Sequence, residues 1–303
     1  MTTIEVACAA DERYAPHSAA MLHSVMTVRG ESELRIRYLH GPAFPDRVKE
    51  LLRGMVEDGG AVISFLEIGD DRVAGLPEMD FVTRAMWYRI FLPELLPEAD
   101  RVLYLDVDTI AIDSLEPLWD VDLEGSLVAA VTNVFYMRSH AQRAAQLGIE
   151  PADYFNSGVV LLNLDLMRRE DSTRALFDYA TGHASELAWP DQDALNVVLG
   201  PRRMSLHPRW NCMNSVLQFP WAGDVLGADA VEEARERPGI RHFEGPTVNK
   251  PWHEGCETPM REVYFEHRRQ TPWPEVEMDG AKPGNVVKRL AQSVLGRGRS
   301  VSA

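Results

Sequence analysis

The sequence predicts an α/β fold built on a mainly parallel central sheet. Three observations carry this. Short apolar runs with the composition of buried strands recur through the first two thirds of the chain. Segments with apolar residues at helical spacing separate them, as in a parallel sheet with crossover helices. Carboxylates follow directly on strand ends, where such sheets bind ligands.

The elements follow in order. IEVACAA (4–10) reads as a buried strand, and 16–29 as a helix with Leu22, Val25, Met26 and Arg29 at helical spacing. LRIRYLH (34–40) alternates like a strand, 45–58 reads as helical, and AVISFLEI (61–68) as a third strand. A helix over 83–96 should last to Pro93. RVLYLD (101–106), SLVAAVT (126–132) and SGVVLLNL (157–164) read as three more strands, 165–183 as one helix, and DQDALNVVL (191–199) as a helix with an acidic N-terminus. After about residue 205 the periodicity weakens, and 236–256 reads as loop. The strand ends gather Ala10-Asp11, Asp106-Val107-Asp108 and Thr132-Asn133.

Composition narrows the function. At 303 residues, 45% hydrophobic and 25% charged, the chain can bury a sizeable core and is ordinary for a globular protein. It contains no apolar run long enough for a membrane-spanning helix, and its start shows no basic segment leading into an apolar one, so neither a transmembrane helix nor a signal peptide is expected. Cys8, Cys212 and Cys256 lie far apart with no CxxC, which suggests a reducing, cytoplasmic setting and no structural zinc; Cys8 reads as a core residue. The net charge is −15, yet residues 280–303 carry five cations and no acid, so the preceding body carries −20. So acidic a body argues against nucleic-acid binding, and an anionic ligand would need a local cation. Lysines number four, Lys49, Lys250, Lys282 and Lys288, which makes Lys250 before Pro251-Trp252 conspicuous.

RVLYLDVDTI (101–110) has two chemical readings. In a haloacid-dehalogenase-like phosphatase, Asp106 would attack phosphorus and Asp108 would serve as acid/base. That motif usually opens its chain and needs a later lysine and acidic pair, whereas here Gly69-Asp70-Asp71 precedes it. In the second reading both aspartates hold one divalent cation, which offsets charge on a diphosphate leaving group. Carboxylate and imidazole ligands suit manganese or magnesium. A solvated turn accounts equally well for DxD taken alone.

Five blocks in order choose between these: AADERYA (9–15), RVLYLDVDTI with DSLEPLWD (113–120), YFNSGVVLLNL (154–164), DQDALN (191–196) and HFEGPTVNKPWH (242–253). Together they resemble the retaining glycosyltransferases of family 8, which include lipopolysaccharide galactosyl- and glucosyltransferases and glycogenin. The resemblance covers about residues 4–256. It implies a GT-A fold, a Rossmann-like nucleotide-sugar-binding domain over 1–279 followed by a basic tail, 280–303. It implies a hexosyltransferase drawing glucose or galactose from a UDP-sugar, with manganese, or magnesium, held by Asp106, Asp108 and His242. Lys250 would meet the diphosphate as a point charge, and Gly245 would let backbone approach the phosphates. Arg89, rather than Arg84, matches a family arginine that binds nucleotide or sugar. Ala9, Asp11 and Tyr14 match contacts to uracil, and the Val107 backbone can meet the ribose. Asn156, Asp191 and Gln192 match positions around the donor hexose, with Asp191 on sugar hydroxyls and Gln192 near the anomeric carbon. Asp193 is expected to cap its helix, and Trp119 and Trp210 to form core or wall.

Three features depart from the family pattern. Arg13 and Asn133 stand where relatives often have asparagine and aspartate, and the loop between Gly245 and Lys250 is two residues longer than the form expected.

The resemblance also implies a route. A retaining glycosidase sets two carboxylates about 5 Å apart for a covalent intermediate; here the matching side chain is the Gln192 amide, a poor nucleophile. A front-face attack by the acceptor follows, on a saccharide or lipid-linked saccharide. NVVKRLAQSVLGRGRS (285–300) mixes apolar and cationic residues and could lie on an anionic membrane, or serve as a solubilising tail. A nucleotide-sugar-binding protein without turnover is the non-enzymatic alternative.

Overall fold

A computed structural model describes residues 2–78, 84–123, 125–134 and 141–280. The tail expected over 280–303 lies outside the described residues but for Gly280.

Nine strands are described: β1 (Thr3–Ala9), β2 (Glu33–His40), β3 (Val62–Glu67), β4 (Arg101–Leu105), β5 (Thr109–Ala111), β6 (Val128–Thr132), β7 (Phe155–Asn163), β8 (Arg203–Ser205) and β9 (Ile240–His242). Seven form one sheet in the order β3-β2-β1-β4-β7-β6-β8. The pairs β1–β2, β2–β3, β1–β4 and β6–β8 are parallel, while β7 runs antiparallel to β4 and β6. The expected mainly parallel sheet is therefore present, with one reversed strand.

The alternation of strand side chains explains the near-continuous apolar runs. In β1, Ile4, Val6 and Cys8 enter one buried cluster and Ala7 and Ala9 another. In β4, Leu103 and Leu105 face the first cluster, and Val102 and Tyr104 the second. A sheet buried on both faces needs apolar residues at both parities. Cys8 is a core residue, as expected; Trp210 is buried, and Trp119 is packed, partly buried, against the first cluster.

The sheet sets the place of the site. Strand order runs one way from β1 to β2 and β3 and the other way from β1 to β4. The C-terminal ends of β1 and β4 thus flank a switch in direction, where open α/β sheets bind ligands. A second sheet of two strands, β5 and β9, pairs Thr109 with His242 in antiparallel register. This brings the C-terminal part of the chain to the end of β4.

Four expectations change. Residues 84–96 form a 3-10 segment, Arg84–Phe91, and one α-turn, Leu92–Leu95, instead of a single helix. The helix expected over 165–183 is two, Leu164–Arg169 and Ser172–Gly182, because Asp171 adopts a left-handed φ of 51° that a right-handed helix cannot continue. The weakly patterned region beyond 205 holds helices Asn214–Gln218, Ala222–Leu226, Ala228–Glu236 and Arg261–Arg268. Two of these are only five residues long, too short to show periodicity, and the first is fixed by a distant partner: the Glu244 carboxylate accepts from the amides of Asn214 and Ser215. Finally, Asp193 is not the N-cap. Trp189 holds that position, and Asp193, inside the helix Pro190–Leu199, reaches back to the amides of Ala188 and Trp189 at 2.9 and 3.0 Å. The orphan donors are satisfied by a different geometry.

Among the described residues no helix is long and apolar enough to cross a membrane. The three cysteines are buried free thiols.

Candidate functional site

The end of β4 builds the first half of the site. The Asp106 amide donates to Gly158 O at 2.7 Å, which extends the ladder with β7 by one step. The chain then turns: the Thr109 amide and hydroxyl both donate to Asp106 O, at 3.2 and 2.7 Å. That turn holds both carboxylates at the strand tip. The β5–β9 pairing and a bond from the Phe243 amide to Asp108 O, 2.9 Å, lock His242 beside them.

Asp106, Asp108 and His242 each offer a ligand atom, and these atoms all lie within 4.8 Å of one another. His242 Nε2 stands 3.3 Å from Asp108 Oδ1. His242 Nδ1 stands 2.9 Å from Asn211 Oδ1, an atom that can only accept, so Nδ1 carries a proton. The other ring nitrogen, Nε2, is thereby turned toward the Asp108 carboxylate. A carboxylate-rich, imidazole-containing donor set of this kind fits a divalent cation. Gly158 leaves the room: a Cβ there would run into the His242 ring and lie 2.8 Å from Asp106 Oδ2.

Two cations border the cluster, Arg89 buried and Lys250 partly buried. The Lys250 ammonium donates to Asp108 Oδ2 and, at 3.0 Å, to Phe243 O. Burial pushes the Asp108 carboxyl up, but Lys250 and His242 outweigh it and hold it well below the usual carboxylate range. Burial would lower Lys250, yet Asp108 raises it, so it stays a cation. Arg89 donates to Asp106 Oδ1 at 2.9 Å and to Ser157 O at 2.6 Å, and approaches Asp191 Oδ2 at 3.3 Å. Its guanidinium lies 4.1 Å over the Tyr104 ring. Despite burial, Asp106, Tyr104 and Asp191 push its pKa up. Arg84 is exposed and pairs with Glu78 and Asp70, so Arg89 alone of the two points inward.

Asp191 and Gln192 come from the helix Pro190–Leu199, clamped to β7 by Asn196, whose side chain bonds both the amide and carbonyl of Phe155, at 2.6 and 2.8 Å. Burial raises the Asp191 carboxyl to about 6, opposed by Arg89 and reinforced by Asp106. Gln192 Oε1 accepts from the Ser157 amide at 3.1 Å and from Asn156 Nδ2 at 3.3 Å.

Eight of the expected residues thus join through direct contacts or one intervening side chain: Arg89, Asp106, Asp108, Asn156, Asp191, Gln192, His242 and Lys250. The others border them. Ala9 ends β1, Val107 lies between the aspartates, and Asp11 accepts from the Tyr14 amide at 3.0 Å. The Tyr14 ring meets Trp252 edge-on at 6.3 Å. Gly245, exposed and at φ 99°, shapes the loop beside Asn249 rather than touching the acidic cluster. Sequence reasoning missed Asn211, Gly158, Tyr104 and Arg241. Gly158 had a signal, a glycine inside a strand that marks close approach. Arg241 donates to the carbonyls of Cys212, His242 and Pro259 from a fully buried position.

The chain is similar to several known proteins. The profile of Glycosyl transferase family 8 matches residues 5–256. General stress protein A of Bacillus subtilis (strain 168) is 31% identical over 275 residues, covering 88% of this chain and 93% of that protein. A lipopolysaccharide 1,2-glucosyltransferase of Escherichia coli (strain K12) is 26% identical over 246 residues, 81% of this chain and 72% of that one. The crystal structure of galactosyltransferase LgtC with donor and acceptor sugar analogs superposes with a TM-score of 0.80 at 26% identity, covering 89% of this chain and 96% of that one. The seven-stranded, mainly parallel architecture is that of the GT-A fold. The phosphatase reading of Asp106 finds no support in these matches.

Proposed function

The chain belongs to glycosyltransferase family 8, and from that premise we propose that it moves glucose or galactose from a UDP-sugar to a hydroxyl of a saccharide or lipid-linked saccharide, with retention at the anomeric carbon. The observation that carries this reading is the convergence of Asp106, Asp108 and His242 within 4.8 Å, with Lys250 against Asp108. The names of two relatives, a glucosyltransferase and a galactosyltransferase, support a hexose donor.

Asp106, Asp108 and His242 would hold manganese or magnesium, which supplies Lewis-acid stabilisation to the departing diphosphate. Lys250 sets a cation beside the same leaving group, and Gly245 lets backbone come near it. Ala9, Asp11, Tyr14 and the Val107 backbone receive the uridine. Arg89 holds Asp106 and Asp191 in fixed orientation. Asp191 accepts hydroxyls of the donor sugar, and Asn156 and Gln192 flank its reacting carbon. The Gln192 amide does not displace a leaving group covalently, so the acceptor hydroxyl attacks from the side UDP leaves, and a phosphate oxygen of UDP takes its proton.

The test is UDP release from UDP-glucose, UDP-galactose and other UDP-sugars with saccharide acceptors, in manganese and in chelator, together with proton NMR of the first-formed product. Release that requires metal and yields the donor's anomer is expected. Release indifferent to chelator, or an inverted anomer, overturns the reading. Binding of UDP-sugars with no release across acceptors would instead favour a non-catalytic binding protein.

A further inference from the structure

A chain of buried hydrogen bonds leaves His242 and runs into the helix Pro190–Leu199. His242 Nδ1 meets Asn211 Oδ1 at 2.9 Å; Asn211 Nδ2 donates to Asn156 Oδ1 at 2.9 Å; Asn156 Nδ2 donates to Gln192 Oε1 at 3.3 Å. Gln192 Nε2 then donates to Tyr154 Oη at 3.2 Å, and Tyr154 donates to Asp193 Oδ1 at 2.6 Å. Asn211, Tyr154 and Asp193 are fully buried.

The direction of every bond is fixed from both its end and its middle. Asp193 Oδ2 accepts from Arg143 and from the amides of Ala188 and Trp189, so the Asp193 carboxylate is an acceptor and the Tyr154 hydroxyl must donate to it. Tyr154 oxygen is then the acceptor for Gln192, which turns Gln192 Oε1 the other way. Two backbone amides confirm this independently. The Ser157 N–H demands an oxygen at Gln192 Oε1, and the Gly158 N–H, at 3.0 Å, demands one at Asn156 Oδ1. A flipped amide at either residue would set N–H against N–H. With Asn156 so oriented, Asn211 must present its nitrogen to Asn156 and its oxygen to His242.

We infer that Asn211 is a positioning residue: its Oδ1 accepts the His242 Nδ1 proton and so fixes the ring with Nε2 turned toward Asp106 and Asp108. The same oriented chain fixes the Gln192 amide, so the two chemically active ends of the site share one hydrogen-bonded spine. This rests on the proposed function only for what Nε2 finally serves; the Nδ1 bond to Asn211 is a property of the free protein. Outer partners of a ligating histidine typically tune metal affinity about 10- to 100-fold.

The experiment reads the ring directly. Long-range proton–nitrogen NMR of metal-free protein labelled with nitrogen-15 histidine, at pH 8, with His242 assigned by its loss in His242→Gln, should show a proton held on Nδ1. A bare Nδ1 in the wild-type ring overturns the inference. Manganese binding without nucleotide, read from the EPR signal of the free ion, is then compared for Asn211→Leu and Asn211→Asp. Asn211→Leu, which removes the acceptor, should weaken manganese about 10- to 100-fold and leave the Nδ1 proton unheld. Asn211→Asp keeps an acceptor opposite Nδ1 but loses the donor to Asn156, so it should hold the Nδ1 proton and recover part of the affinity. Wild-type affinity in Asn211→Leu, or equal losses in both variants with the Nδ1 proton unchanged, would mean that Asn211 only fills space. If Asn211 holds the Nδ1 proton as inferred while no UDP-sugar is turned over, the proposed function fails and the inference stands.

Discussion

Asp106 and Asp108 reach the site from a single turn at a strand tip, whereas His242, Lys250 and Asn211 arrive from distant parts of the chain. Lys250 meets Asp108 across 142 residues of chain, and His242 is delivered by three rungs of the small β5–β9 ladder. The first half is set by backbone geometry, through the sheet bond of Asp106 N to Gly158 O and the local turn of Thr109 on Asp106 O. The second half depends on side chains holding loops: Glu244 on the amides of Asn214 and Ser215, and Arg241 on Cys212 O and Pro259 O. Burial pulls the Arg241 guanidinium down to about 10, which indicates how much desolvation this arrangement accepts. Ligands from the turn should therefore tolerate loop perturbation better than loop-borne groups tolerate any change of their supports.

The largest effect tests the turn. Asp108→Asn keeps the shape but removes the charge that faces both Lys250 and His242. UDP release in manganese should fall at least about 100-fold, with manganese affinity falling alongside. Turnover within about tenfold of wild type would show that the loop half suffices.

Next comes the seam between the halves. Gly158→Ala places a methyl against the His242 ring and 2.8 Å from Asp106 Oδ2. Because β7 is central in the sheet, the backbone cannot retreat, and the side chains must. Manganese affinity should drop about 10- to 100-fold, while stability falls only about 1–3 kcal/mol, as for overpacking. Calorimetric titration beside a urea melt separates the two; unchanged affinity would mean that His242 or Asp106 swings away freely.

Legibility divides along the same line. The strands and the turn at the end of β4 could be read because each lies within or directly after a continuous apolar stretch, whereas Arg89 was named only through the family resemblance. Residues 242–253 could be recognised as a block, yet nothing local says that His242 pairs with Thr109. Asn211 was invisible, since its importance lies in two bonds to residues 55 and 31 positions away. The break at Asp171 was hidden too: 165–183 is apolar at helical spacing on both sides of a left-handed residue, and periodicity cannot register one backbone angle. The short helices after 205 have the same fault in reverse, being held by tertiary contacts instead of by their own sequence.

A milder change sharpens the comparison on the loop side. Lys250→Arg keeps a cation but replaces a compact ammonium with a planar fork that needs more room beside Asp108 and Phe243 O. About a tenfold loss of kcat/KM for the donor is expected, on the order of 1.4 kcal/mol of transition-state stabilisation. Manganese affinity should stay within about threefold of wild type, because a charged donor still faces the Asp108 carboxylate. A manganese loss as large as that of Asp108→Asn would make Lys250 a support of the ligand cluster and not a leaving-group contact.

The smallest effect on turnover, yet a clear one on folding, lies where the loop half docks on the first helix. His17 stacks on Trp252 with ring centroids 3.7 Å apart, and its Nδ1 meets Tyr264 Oη at 2.7 Å. Arg268 donates to that same Tyr264 oxygen at 3.2 Å, so the phenol proton is free to go to His17, which accepts as a neutral ring. Burial, with Arg268 and Arg13 adding to it and Asp108 opposing, pushes the His17 pKa down to about 3 from an ordinary 6.5. The sign follows: below pH 6.5 the unfolded chain takes up a proton at His17 that the folded one refuses, so stability is full above 6.5 and is lost as pH falls toward 3. His267, lowered to about 4 by burial and by His23, acts in the same direction. From pH 7 to pH 5 the His17 share is about 2 kcal/mol. His17→Gln cannot take up that proton, so its urea-unfolding free energy should decline less steeply over this range, by about that amount, with UDP release near neutral pH little altered. Parallel pH profiles for the two proteins would show that the seam opens before His17 titrates, and that the loop half is less firmly docked than the stacking of His17 on Trp252 implies.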